Sequence, residues 1–70
     1  MTHCLTLHSP ISTVHFESDN QSAIAKLSNF CKEVLNGYNS TDDPTVLSID
    51  SISDEQLKDL QNEIDKLGIL

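Results

Sequence analysis

The apolar residues of this chain change period three times, from two to three-or-four after Glu17, back to two over residues 45 to 52, and to three-or-four again from Leu57, and each change marks a new element. In THCLTLH, residues 2 to 8, His3, Leu5 and Leu7 fall on one side and Cys4, Thr6 and His8 on the other, the alternation of a β-strand. TVHFE, residues 13 to 17, alternates again with Val14 and Phe16 together, and SPIS between the two runs holds a proline break. Two alternating runs so close in sequence predict an antiparallel hairpin with one covered and one solvated face.

The segment SDNQSAIAKLSNFCKEVLNGY then takes helical spacing. Ile24, Leu27, Cys31, Val34, Leu35 and Tyr38 recur at threes and fours, with Ala23 and Phe30 widening the stripe. Ser18 with Gln21 matches a capping box, and Gly37 is the expected left-handed stop, with Tyr38 folding back on the last turn. NSTDDP, residues 39 to 44, is a polar loop. TVLSIDSI, residues 45 to 52, is β-branched and predicts a third strand, Leu47 and Ile49 on one face and Val46 and Ile52 on the other. Ser53 with Gln56 forms a second capping box directly before Leu57, Leu60, Ile64 and Leu67, and Gly68 ends that helix. Ile69 and Leu70 follow as an apolar tail.

The elements therefore run β-β-α-β-α. The expected fold class is α+β, one small domain over residues 1 to 70, with a three-stranded sheet and two helices packed on one face. A chain of 70 residues buries only about 60% of its unfolded surface, so one small core is all it can build. The opposite sheet face, with His3 or His8, Thr6, Thr13, His15, Glu17, Ser48 and Asp50 outward, is left for water, a second copy or another protein.

Charge narrows the function. The net charge is −7 and lopsided: Glu17, Asp19 and Glu33 against Lys26 and Lys32 give −1 for residues 1 to 39, whereas eight acids against Lys58 and Lys66 give −6 for residues 40 to 70. No arginine is present, which removes the side chain best suited to gripping phosphate, so direct nucleic-acid binding is not expected. No apolar run approaches the roughly 18 residues of a membrane span. Residues 1 to 10 lack the basic start and apolar run of a secretory signal, so the expected setting is cytoplasmic, with Cys4 and Cys31 reduced.

Within DEQLKDLQNEID, Glu55, Asp59 and Glu63 stand at i, i+4 and i+8 and form one row along the helix, neighbours about 5 to 6 Å apart. Together with Asp42, Asp43 and Asp50 they are the expected partner-binding residues, an acidic surface suited to the basic groove of a nucleic-acid-binding protein. The plain reading is a solvated outer face.

Other chemistry has less to stand on. His3, Cys4, His8, His15 and Cys31 lack the close pairs of a structural zinc site, although Cys4 and His8 share a face and His15 can lie across the hairpin from them. The chain has only two glycines, so no phosphate-cradling loop is formed, and no nucleophile with a base and an orienting group is recognisable. No cofactor and no catalysis are expected. The sequence thus points to a small acidic, non-catalytic interaction protein, an inhibitor or accessory factor in kind. A homodimer or higher homo-oligomer is the second reading, and histidine-based metal binding the third.

Overall fold

A computed structural model describes residues 1–69. The chain forms β1 (His3–His8), β2 (Thr13–Ser18), α1 (Gln21–Val34), β3 (Tyr38–Asn39), β4 (Val46–Ser48) and α2 (Asp54–Leu67). The α+β class holds, but the sheet has four strands, in the order β2-β1-β4-β3. β1 and β2 make the expected antiparallel hairpin, with Leu5 opposite Phe16 and Leu7 opposite Val14. β4 runs parallel to β1, with Leu7 opposite Leu47, and β3 closes the far edge antiparallel to β4.

The fourth strand is the extra element, and at two residues it is too short to show a period. It takes Tyr38 away from the helix it was expected to cover: Tyr38 pairs with Ser48 and is exposed. Asn39 helps hold the β3–β4 connection, its side-chain amide donating to the carbonyls of Pro44 at 3.4 Å and Val46 at 3.3 Å. β4 is correspondingly shorter than the 45 to 52 expected. After Ile49 donates its amide to the His8 carbonyl at 2.9 Å, the chain leaves the sheet to enter α2, and Ile52 packs against the core instead of the opposite face.

One core lies between the sheet and the helices. Leu5, Leu7, Phe16 and Leu47 supply it from the sheet, and Ala23, Ile24, Leu27, Cys31 and Leu35 from α1 and its C-terminal cap. α2 packs on α1 and contributes Leu60, with Ile64 and Leu67 partly covered. Val34, expected in the stripe of α1, is 42% exposed. Ile69 is core, not a projecting tail: Gly68 turns left-handed at φ 70, the Ile69 amide reaches back to Ile64 at 3.1 Å, and the side chain is buried. The expectation for Leu70 lies outside the described residues.

The two helix starts differ in how they match the sequence. Ser53 caps α2 as expected, its hydroxyl accepting from the Gln56 amide while the Gln56 side chain accepts from the Ser53 amide. α1 is capped by Asn20, whose Oδ1 accepts from the amides of Ser22 and Ala23. Ser18 stands outside the helix and instead accepts the Asn20 amide at 3.0 Å, which orients the cap. At the other end of α1 the left-handed residue is Asn36, at φ 58, and not Gly37.

Candidate functional site

α2 owes its existence to its apolar stripe and its caps, and it presents its acids because the remaining positions have nothing to pack on. Asp54 and Glu55 sit in the first turn, at the positive end of the helix dipole, and Lys66 in the last. Glu55 and Asp59 are exposed and Glu63 is half-buried, so the row read from the sequence is present along one helix. Among the described residues the one ion pair within 4.0 Å joins His15 and Glu17. Lys58 and Lys66 therefore leave the carboxylates of α2 without a contact partner.

The other three expected residues are carried by other segments of the chain. Asp42 and Asp43 lie on the connection into β4, and Asp50 beyond its end. A turn closed by the Val46 amide on the Asp43 carbonyl at 3.1 Å, and then the whole of β4, separate Asp43 from Asp50 along the chain. Asp43 is already engaged, accepting from the Thr45 hydroxyl at 2.7 Å and the Thr45 amide at 2.9 Å. Those bonds, the hydroxyl's first, hold its carboxyl below the ordinary 3.8. Asp50 accepts from the Tyr38 hydroxyl at 2.8 Å, and this bond together with the carboxylate's charge raises the phenol above its ordinary 10.0. Asp50 does come near the acidic row, because only three residues separate it from Asp54 and the first turn of α2.

The second candidate surface is the uncovered face of the sheet. Thr6 N–H reaches the Thr45 carbonyl at 2.8 Å and Ile49 N–H the His8 carbonyl, so the even residues of β1 bond to β4 and the odd ones to β2. The pairs Cys4 with Glu17, Thr6 with His15 and His8 with Thr13 are then the non-hydrogen-bonded pairs of the hairpin, whose side chains approach most closely. Their contacts follow: Thr6 Oγ1 to His15 Nδ1 at 3.0 Å and His8 Nδ1 to Thr13 Oγ1 at 2.9 Å. His15 Nε2 adds a 3.2 Å contact to Glu17. His15 lies across the hairpin from the Cys4 and His8 side as the alternation implied, yet both its ring nitrogens are engaged. Among the described residues no three His, Cys, Asp or Glu side chains converge as a metal would need.

Tyr38 is the residue of this face that the sequence did not reveal, since a lone aromatic beside a glycine gives no strand signal. Two shallow clefts adjoin the sheet. One, of about 480 Å³, is lined by Thr2, Glu17, Ser18, Asp19, Asn20 and Gly68. The other, of about 230 Å³, runs from His3 and Cys4 past Ile24 and Ser28 to Thr45. His3 and Cys4 are consecutive in a strand and so point to opposite faces, which keeps them from acting as a base and nucleophile pair there.

No protein-family model matches the chain, and comparison with curated proteins and with solved structures likewise found no match. Among the described residues no helix is long and apolar enough to cross a membrane.

Proposed function

We propose that this protein is a small, non-catalytic interaction module that binds a basic surface of another protein through the exposed acidic side of α2. The observation that carries the reading is the row of Glu55, Asp59 and Glu63, which meets no lysine at contact distance within a half-chain of charge −6. Uncompensated like charges at i, i+4 spacing cost a helix a few tenths of a kcal/mol per pair, so a cationic partner gains from both attraction and relief of that repulsion. Asp42 and Asp50 extend the field without belonging to the row, whereas Asp43 serves its own turn. The partner is a protein that itself handles polyanions, and the module acts on it by occupying the groove, as an inhibitor or accessory factor. The setting is the cytoplasm, where Cys4 and Cys31 remain thiols; the sheet lies between them, so they do not bridge.

The test is an NMR titration of the labelled chain with a lysine-rich peptide as the cationic probe. Shifts centred on residues 54 to 63 and weakening steeply with salt are expected, and Glu55→Lys with Asp59→Lys should lose them. Shifts confined to the sheet face, or unchanged binding by the charge-reversed variant, would remove the acidic helix from the function.

A further inference from the structure

The sheet has two edges, and they are built differently. β3 is two residues long and its Asn39 side chain is tied to the connection behind it, so it offers almost no free ladder. β2 is six residues long, pairs one-to-one with β1 without a bulge, and contains no proline, lysine or glycine. Short length, a bulge, proline and lysine are usual devices by which an exposed edge is blocked; β2 has none of these, and its one formal charge is Glu17.

The hydrogen-bond parity says what this edge presents. Because the odd residues of β1 bond to β2, their partners Val14, Phe16 and Ser18 are the β2 residues that bond back. Thr13, His15 and Glu17 consequently point their backbone N–H and C=O groups away from the sheet. On the uncovered face the same edge carries His15 and Glu17, two residues apart and 3.2 Å from each other. On the covered side it ends in Val14, 37% exposed, beside a fully packed Phe16.

We propose that β2 pairs antiparallel with β2 of a second copy about a two-fold axis at Phe16. The parity allows an outward-pointing residue to face only another outward-pointing residue, which restricts the axis to an odd position's own pairing or to an even position between two of them. Centred on Phe16, the pairing sets His15 opposite Glu17 of the partner subunit and Glu17 opposite the partner subunit's His15. Each such pair exchanges both of its backbone hydrogen bonds, and the side chains are complementary. Centred on His15, it would set each imidazole against its own copy and leave Glu17 facing a threonine. The Phe16 axis is thus the self-complementary one, as a two-fold interface requires. The two four-stranded sheets become one, and their polar faces join. No residue of α2 takes part, so this result and that for the acidic helix are read separately.

The test is the solution mass, by sedimentation equilibrium from micromolar to millimolar chain, with amide exchange of Thr13, His15 and Glu17 measured alongside. A monomer–dimer equilibrium is expected, with protection of the His15 and Glu17 amides, which face each other across the axis, rising with concentration, and little change at Thr13, whose opposite number lies beyond the end of β2. Thr13→Pro and, separately, Val14→Lys block the edge without removing a ladder donor to β1 or a buried side chain; Val14→Lys should weaken the dimer about tenfold or more while the circular dichroism stays unchanged. His15→Glu should weaken it likewise, and His15→Glu with Glu17→Lys should restore it. A monomer at all concentrations, a dimer indifferent to Val14→Lys, or a failure of the double reversal to recover what the single change lost would overturn the pairing.

Discussion

Gly37 donates its backbone amide to the Cys31 carbonyl at 2.8 Å, and a β-carbon at position 37 would stand 3.0 Å from that same oxygen. The hydrogen bond and the missing side chain are one constraint: the chain leaving α1 must pass close over the last turn before it enters β3. Ile49 closes the other side, with its Cγ2 3.6 Å from the same point. Gly68 is the opposite case, with nothing near it but a φ of 70 that L side chains resist. Gly37→Ala should therefore cost about 1 to 3 kcal/mol through overpacking against backbone, and Gly68→Ala about 1 kcal/mol through its dihedral. Urea unfolding of the two variants checks this, and Gly68→Asn, which tolerates the left-handed region, should recover most of the second loss but has no counterpart at 37.

The two thiols should behave as different groups. Cys31 is fully buried and burial pushes its thiol up to about 11, while Cys4 is partly exposed on the sheet. A thiol reagent at neutral pH should modify one cysteine per native chain and two after denaturation, because the thiolate is the reactive form. The raised value also sets a sign for stability. In the unfolded chain the thiol ionises near its ordinary 9.0, so between pH 9 and 11 the unfolded state binds fewer protons and stability falls, by about 3 kcal/mol at most. Tyr38, also raised, continues the decline from its ordinary 10.0 upward. Cys31→Ala should flatten the first part of the alkaline loss in a pH series of thermal melts, and Tyr38→Phe the second.

The helix caps give a third prediction. Ser53→Ala removes the acceptor for the Gln56 amide and should cost about 1 kcal/mol, as should Asn20→Ala at α1. Ser18→Ala should cost less than Asn20→Ala, since Ser18 only holds the cap residue and does not accept from the helix. Thermal unfolding of the three variants ranks them; a larger loss at Ser18 would mean that the box expected from the sequence describes the helix start better than Asn20 does.

That comparison shows what was legible and why. Ser53 is read correctly because, of Ser51, Ser53 and Asp54, it alone has a glutamine or glutamate three residues on, whereas at the start of α1 Ser18 matches that same pattern with Gln21 and only the approach of the chain from β2 selects Asn20 instead. The hairpin, both helices and most of the core follow from periodicity, which reports burial directly. β3 does not, because two residues carry no period and its pairing with β4 is a property of the closed sheet. The acidic row is legible since i, i+4 spacing is local. The dispersal of Asp42, Asp43 and Asp50 is not, because it depends on β4 standing between them, and neither is the outward parity of β2, which is fixed only when β1 takes β4 as its second neighbour.

Asp43 supplies a last prediction, on the acid side. The hydroxyl and the amide of Thr45 both donate to its carboxylate and hold its pKa below the ordinary 3.8. The folded value being the lower one, the contribution is present above the unfolded pKa and is lost as pH falls through that value and the folded one beneath it. The group is fully exposed, so the effect concerns the shape of the β3–β4 turn more than global stability. Thr45→Val removes the largest cause and keeps the amide bond, and should bring the Asp43 titration, followed by the carboxyl carbon in NMR, part of the way back toward 3.8. An unchanged titration in that variant would show that the turn holds its geometry without the hydroxyl, and that the amide of Thr45 alone sets the environment of the Asp43 carboxylate.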